Sequence, residues 1–374
     1  MKIKWIEFEN LETGLKIERI YFFDDVTLLV GLSGAGKTQI LHAIEYSLRL
    51  ALGEVLYFHP YKVCLGILIN NHLYEWSYTL QKQEKLNDFL FENTEDYFFT
   101  NEYLLCGEEI IFIRTPDNVE IKDFTNIPTP KRDKSLIDQY SDDSHFNELI
   151  TGLKNLYNID MDMDVRKYLE KDSVNDFKTK INNTFKRKTA INIRMFSHLP
   201  TPLKLYIAKF HYSDIYNQII STINDIFPEI EDIDMVEDIA RDCYCVQLSV
   251  YNKKILQHDI SNGMLKTIYF VIELYIASEN SLIMIDEFEN GLGINCVDFI
   301  TSLLLEERLD IQFLITSHNP KIIDNIDYNS WRIIERNKNI IYNYDCNSPG
   351  YAFNNRHDAY YNLINKWSYE GKLR

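Results

Sequence analysis

Eight consecutive residues, Gly31-Leu-Ser-Gly-Ala-Gly-Lys-Thr38, satisfy the spacing G-x-x-x-x-G-K-[ST]. Each residue type there has a use in holding phosphate. Glycines at 31, 34 and 36 let the backbone wrap around an anion, and the loop from Gly31 to Thr38, Ser33 and Ala35 included, turns its N–H groups inward. Lys37 neutralises the β- and γ-phosphates, and the Thr38 hydroxyl suits Mg²⁺. The implied ligands are ATP and Mg²⁺. Such a loop works only between a buried strand and a helix N-terminus. Val26-Thr-Leu-Leu-Val30 supplies the strand pattern, and the apolar spacing from Thr38 onward supplies the helix, with Gly53 as its stop.

Leu282-Ile-Met-Ile-Asp286-Glu287 is a short apolar run ending in two acids. A buried strand delivering two carboxylates to one edge can hold a metal-bound water shell through Asp286 and polarise an attacking water through Glu287. Alone, the pair also reads as a solvated turn; a magnesium site beside a phosphate loop needs such a carboxylate. One helix-length earlier, Ile260-Ser261-Asn262-Gly263-Met264 opens a helix. Alone, Ser-Asn-Gly is an ordinary N-cap. In this position Ser261, Asn262 and Gly263 present a hydroxyl and unpaired N–H groups, an anion site with no phosphate of its own because Lys37 already serves that one. Two copies related by a two-fold axis would each lend this helix end to the other's ATP. Glu289-Asn290-Gly291-Leu292-Gly293 follows the acidic pair, and Thr316-Ser317-His318-Asn319 follows the next buried strand, placing His318 to sense the γ-phosphate or to serve as a structural imidazole.

In order and spacing this set resembles the ABC/SMC/RecF ATPases, and in particular the short bacterial ATPases grouped with the OLD-type and phage-defence AAA families. The resemblance implies an ABC-type α/β head, a mixed sheet with an antiparallel flank and a parallel P-loop core, carrying an inserted helical arm. Glu102-Tyr-Leu104 and Ser135-Leu136-Ile137 also fit it. By the same resemblance Ser261, Asn262 and Gly263 form a signature motif, Asn290 belongs to a D-loop, and His318 is a switch histidine. Asn262 and Met264 depart from it, standing where transporters have glycines, and Gln81 and Gln83 are candidates only for a Q-loop glutamine.

Around these motifs, Lys2 to Phe8 and Leu15 to Tyr21 read as strands, Lys62 to Ile69 and Leu73 to Leu80 as a hairpin through Asn70-Asn71-His72, and Tyr97 to Leu105 and Glu109 to Arg114 as further strands. From Asp133 to Phe227 the spacing turns helical, with Phe146, Leu149, Ile150, Leu153, Leu156 and Tyr157 as one stripe and Leu203 to Ile226 as another. Pro228 to Asp234 reads as an acidic turn. Then come a strand from Cys243 to Tyr251, a helix from Ser261 to Ser278, a helix from Asn295 to Glu306, a strand from Ile311 to Thr316, a hairpin over 331–344 and a last helix from Ala359 to Trp367. The expected division is 1–132 and 231–345 for the ATPase head, 133–230 for the arm and 346–374 for a helical tail.

A formal charge of −17 over 374 residues argues against general coating of nucleic acid, which needs clustered Lys and Arg. One stretch differs. Phe177 to Ser213 has no acidic residue but carries Lys178, Lys180, Lys186, Arg187, Lys188, Arg194, Lys204 and Lys209, either a surface for DNA or a helix face balancing the acids of 225–242. Apolar runs stop short of the roughly 20 residues of a membrane span, nothing resembles a signal peptide, and the six scattered cysteines read as reduced thiols, so a cytoplasmic protein is expected. Asp160, Asp162 and Asp164 read as a solvated patch and Arg356-His357 as a surface pair. No nuclease constellation is visible. The expected function is therefore an ATPase that dimerises around ATP, or forms a larger homo-oligomer of such dimers, and controls a separately encoded effector such as a nuclease or toxin in anti-phage defence. The alternative is a RecF-like DNA-repair ATPase binding DNA through Lys178 to Lys209. A transporter motor fits poorly, because over two hundred residues separate Thr38 from Ser261.

Overall fold

The computed structural model describes residues 1–55, 58–83, 96–124, 130–158, 165–187, 192–196, 199–277, 279–306 and 310–348. They fall into two compact units, the first drawn from Met1–Asn158, Asn280–Glu287 and Arg308–Arg374, the second from Ile159–Glu279 and Phe288–Glu307. Asp160, Asp162, Asp164, Lys188, the Arg356-His357 pair and the helix expected at 359–367 lie outside the described residues.

The first unit is built on a 13-stranded sheet. Its strands are β1 (Lys2–Asn10), β2 (Lys16–Tyr21), β3 (Val26–Val30), β4 (Tyr61–Ile69), β5 (His72–Gln83), β6 (Asp96–Cys106), β7 (Glu109–Arg114), β8 (Val119–Ile121), β9 (Leu156–Asn158), β14 (Leu282–Ile285), β15 (Gln312–Thr316), β16 (Trp331–Asn337) and β17 (Ile340–Tyr344). The order is β8-β7-β6-β5-β4-β1-β2-β17-β16-β3-β15-β14-β9. From β8 to β2 every pairing is antiparallel, whereas β16, β3, β15, β14 and β9 pair in parallel. The expected mixed sheet with an antiparallel flank and a parallel core is thus the observed one. The difference is written in the side chains: every residue of β3, β14 and β15 is buried, as strands covered on both faces must be, while β1 alternates. Asn70 and Asn71 both adopt positive φ, which makes the β4–β5 connection a two-residue turn shorter than the three residues expected.

Helix α1 (Lys37–Ala51) lays Ile40, Leu41, Ile44 and Leu48 into the core under this sheet. It ends as its sequence implies, with Gly53 in the left-handed region just past the cap and Glu54 N–H returned to Arg49 O. Helices α2 (Leu136–Gln139) and α3 (Asn147–Leu153) share that core, so the Phe146, Leu149, Ile150 and Leu153 stripe is covered by the first unit. Leu156–Asn158, expected as helical, is β9, in parallel with β14. Three residues, two of them apolar, have no helical preference strong enough to resist an open sheet edge. The 133–230 stretch is therefore divided between the two units, and helix α9 (Pro320–Asn325) belongs to the first.

In the second unit a small antiparallel sheet of β10 (Leu169–Glu170), β11 (Ile230–Asp238), β12 (Cys243–Val250) and β13 (Lys253–Leu256) accompanies α4 (Lys171–Arg187), α5 (Thr201–His211), α6 (Ser213–Ile226), α7 (Asn262–Ile276) and α8 (Ile294–Glu306). Most of the acidic turn expected over Pro228 to Asp234 belongs instead to β11, a strand because Ile230, Ile233 and Met235 are buried while Glu231 and Asp234 are not. Helix α7 is apolar nearly all round and buries ten of its residues. Its one buried carboxylate, Glu273, accepts from Lys204 Nζ at 2.7 Å and Thr201 Oγ1 at 2.5 Å, pinning α5 to α7.

That pairing bears on the basic stretch. Lys178 Nζ lies 4.0 Å from the Tyr244 ring centre, Lys180 pairs with Asp176 at 2.6 Å, and Lys209 bridges Asp232 and Asp234 at 2.8 and 3.0 Å. With Lys204 bound to Glu273, three of the lysines that could have tracked a phosphate backbone are engaged within the unit, while Lys180 is paired only at the surface. Lys186 is exposed. The DNA-binding alternative is accordingly not favoured. No helix among the described residues is long and apolar enough to cross a membrane.

The two segments Glu102-Tyr-Leu104 and Ser135-Leu136-Ile137 meet in the first unit. Glu102 is 1 % exposed and accepts from Leu136 N–H at 3.0 Å and Trp76 Nε1 at 3.1 Å, with Arg114 Nη1 at 3.6 Å. Burial pushes its carboxyl up to about 7, against the pull of Arg114 and the two N–H donors. A folded value above the unfolded one, ordinarily 4.5, means that the group's contribution is complete below the unfolded value and is lost as pH rises through 7. Urea unfolding of wild type and Glu102→Gln at pH 5 to 8 should therefore show the wild-type stability falling relative to the non-titrating variant as pH rises. Glu102→Ala, which strands Arg114, should cost about 3–5 kcal/mol.

Candidate functional site

Val30 ends β3, the chain turns through 31–36, and α1 begins at Lys37. Gly36 has φ 104° and precedes the helix with no side-chain cap, so the first helical N–H groups are left to the loop. Gly31 passes so close to β16 that a Cβ there would stand 2.4 Å from Ile334 O. Lys37, only 5 % exposed, donates from Nζ to Gly31 O at 2.9 Å and Leu32 O at 3.1 Å, fixing the ammonium inside the curve of the loop.

Because β14, β15 and β3 are adjacent and parallel, their C-terminal ends share one edge. Asp286 and Glu287 follow β14, and Thr316 ends β15. The Thr316 hydroxyl donates to Asp286 Oδ1 at 2.5 Å and accepts from Glu287 N–H at 2.8 Å, so one side chain orients both acids. Glu287 has φ +48°, a backbone conformation costly for a residue with a Cβ and often kept where geometry serves function. His318 is exposed between the buried Ser317 and Asn319, the N-cap of α9.

Together these groups line a cleft of about 230 Å³, with Ser33, Gly34, Gly36, Lys37, Thr38 and Gln39 on the loop and helix, Asp286, Glu287, Thr316 and His318 on the acidic edge, and Arg336 on β16. That volume is below the roughly 300–1,000 Å³ of a pocket that engulfs a whole ligand, and suits the phosphate end of a nucleotide. Thr38 and Asp286 offer the hydroxyl and carboxylate oxygens that Mg²⁺ takes when phosphates and water complete its shell, so the donor set fits that ion. Of the expected loop residues, Gly31 and Ala35 do not line the cleft: Gly31 serves through its carbonyl, and Ala35 packs into the core. Gln81 lies on β5 in the antiparallel flank and does not line it either; the side chain of Gln83 is outside the described residues.

Ser261, Asn262, Gly263 and Asn290 belong to the second unit. Ser261 caps α7 by accepting from Met264 N–H at 3.2 Å. A Cβ on Gly263 would stand 3.3 Å from Gly293 N and 3.5 Å from Gly291 O, so the helix end and the 289–293 turn lie side by side. Sequence reasoning missed the residue that holds this helix end. Arg166 donates from Nε to Asn262 Oδ1 at 2.6 Å, from Nη1 to Gln257 O at 2.6 Å and from Nη2 to Ile260 O at 2.5 Å. Gln257, wholly buried, reciprocates through Nε2 to Val165 O at 2.7 Å. Asn262, a departure where transporters carry glycine, is thus one of the groups that Arg166 grips. Among the described residues no cluster of three or more His, Cys, Asp or Glu could hold a metal, and all six cysteines are free thiols.

A phosphate-sized loop between buried strand and helix, with acids at the end of a strand in the same parallel core, defines the nucleotide site of a P-loop ATPase domain. Residues 77–324, about two thirds of the chain, match the family described as "AAA domain, putative AbiEii toxin, Type IV TA system", and the chain belongs to that family. The match begins downstream of Gly31–Thr38, so the loop is an observation independent of it. Among solved structures, the chain is similar to an SMC head domain from Thermotoga maritima (13% identity, TM-score 0.45, covering 92% of this chain and 99% of that one). It is also similar to an Smc head with an extended coiled coil bound to the C-terminal domain of ScpA from Pyrococcus furiosus (12%, 0.42, 92% and 96%), and to an SmcHead bound to the C-winged helix domain of ScpA (12%, 0.46, 93% and 98%). A comparison with curated proteins finds no match.

Arg166→Ala should release the 257–262 turn. Hydrogen exchange of amides 257–264 should quicken by roughly tenfold, the equivalent of one hydrogen bond to a charged group. Arg166→Lys should not restore protection, because a point donor cannot span three acceptors.

Proposed function

We propose that this chain binds ATP with Mg²⁺, hydrolyses it, and dimerises around it to control a separately encoded effector protein, a nuclease or toxin, in bacterial anti-phage defence. The observation that carries the reading is the division of parts. The cleft of the first unit holds Lys37, Thr38, Asp286, Glu287 and His318, while Ser261, Gly263 and the 289–293 turn form a helix end in a second unit that has no phosphate loop among its described residues. A helix end of that kind is useful if a twin supplies the phosphate, which makes the interface isologous and ATP-dependent.

Each side chain has a defined part in this proposal. The loop N–H groups hold the α- and β-phosphates and Lys37 reaches the β- and γ-phosphates. Thr38 and Asp286 hold Mg²⁺, which neutralises charge on the phosphate oxygens. Glu287 orients the attacking water and takes its proton as the new P–O bond forms and the bond to the ADP oxygen breaks, while His318 donates to the γ-phosphate. Thr316 keeps the two acids in register. ATP then shifts the equilibrium toward the closed dimer by binding it more tightly than the open one. The toxin–TA wording of the family description supports an effector-linked role.

Glu287→Gln should lower turnover by roughly a hundredfold or more and trap an ATP-bound dimer seen as a doubling of mass in light scattering. Lys37→Ala should abolish both nucleotide binding and that dimer. A Glu287→Gln protein that stays monomeric at saturating ATP would refute the shared-site reading. Proteins co-purifying with the trapped form identify the effector.

A further inference from the structure

Arg336 stands in the cleft and none of the motifs accounts for it. Its strand, β16, runs parallel to β3 with Ile333 opposite Val30, so Arg336 lies three residues, about 10 Å, farther along, at the level of the phosphate loop itself. Sheet order puts it on a particular side. Asp286, Glu287, Thr316 and His318 follow β14 and β15 on one flank of β3, whereas β16 and β17 form the other. The β16–β17 hairpin also supports the loop: Ile334 O crowds Gly31, and Ile341, the register partner of Arg336, would touch a Cβ on Gly36 at 2.2 Å. Arg336 is half-buried, with Nε braced on Lys338 O at 2.8 Å.

The acids on the far flank mark the γ-phosphate and metal end of the nucleotide. The opposite flank, beside Gly36 and the first turn of α1, faces the nucleoside end, where the loop N–H groups cradle the α- and β-phosphates. We infer that Arg336 is a nucleotide-binding residue that engages the α-phosphate from the β16–β17 hairpin, recognising the part that ATP and ADP share. This rests on the nucleotide-site reading above and adds a division of labour to it. Lys37 and His318 respond to the terminal phosphates, and Arg336 retains the nucleotide before and after hydrolysis. A guanidinium suits this because it remains charged and offers a planar fork to phosphate oxygens.

The test is calorimetric titration of the full chain with ATP, ADP and GTP. Arg336→Ala should weaken ATP and ADP alike by roughly tenfold or more, as expected for loss of a charge-assisted hydrogen bond. It should leave the ATP/GTP preference unchanged, and Arg336→Lys should recover part of the loss. His318→Ala, in contrast, should weaken ATP and spare ADP. Unchanged ADP affinity in Arg336→Ala, or a changed ATP/GTP ratio, would overturn the α-phosphate assignment. Lys37→Ala separates the two claims: if it binds nucleotide as well as the parent, the site reading itself fails, whatever Arg336 does.

Discussion

The candidate site depends on a single strand being paired on both edges. Val26–Val30 is hydrogen-bonded in parallel to β15 on one side and β16 on the other, and every one of its residues is buried. A strand held this way cannot slip by a residue without turning its apolar side chains out of two packed faces. The loop that follows it therefore starts from a fixed point. The same two pairings deliver the other parts, since β15 carries Thr316 to the acids and β16 carries Ile334 against Gly31. Phosphate binding by backbone N–H groups needs this rigidity, because such dipoles stabilise an anion most when they need no reorganisation to face it.

Local chemistry was readable wherever it was contiguous. Gly31 to Thr38, the strand ending in Asp286-Glu287, and the Ser261 cap opening α7 each announce themselves within a few residues, because loop, strand and helix end have their own composition. What could not be read was cooperation across the chain. Thr316 bonds to Asp286 from thirty positions away, Arg166 reaches Asn262 from 96 positions away, and Arg336 enters the cleft only because β16 lies beside β3. The positive φ of Glu287 has no composition signal either, since nothing but the packed turn imposes it. Misread elements fail for a related reason. Leu156–Asn158 and Ile230–Asp238 are strands by virtue of the neighbours they pair with, and the acids in the second segment resemble a turn until the alternation of Ile230, Ile233 and Met235 finds an apolar face.

Charge gives the same lesson about context. The acid-free stretch from Phe177 to Ser213 looks like a basic surface when it is counted, yet Lys204 is bound to Glu273 within the unit and Lys209 lies between two carboxylates. Burying Lys204 and Glu273 is tolerable only because each satisfies the other, with the Thr201 hydroxyl taking a further lone pair. Burial pushes Lys178 below the usual lysine range as its ammonium settles over Tyr244 and Tyr206. Lysines committed in this way stabilise helix packing in an acidic protein, and they are poorly placed to release counterions from a nucleic acid.

The departures from the ABC pattern follow from the same economy of contacts. Transporters place glycine where this chain has Asn262, and a glycine there would offer Arg166 no side-chain oxygen. Arg166 would then keep the carbonyls of Gln257 and Ile260 but lose its contact from Nε to a side-chain oxygen at this helix end. The reciprocal grip of Gln257 on Val165 O, and on Val246 N–H through Oε1, ties the same turn to β12 from inside. In the dimer proposed above, a helix end offered to a twin's phosphate would have to hold its shape before that phosphate arrives, since any ordering deferred until contact subtracts from the affinity of the closed state. In this chain the ordering comes from Arg166 and Gln257, and Asn262 is the residue that lets the guanidinium use all three of its donor directions.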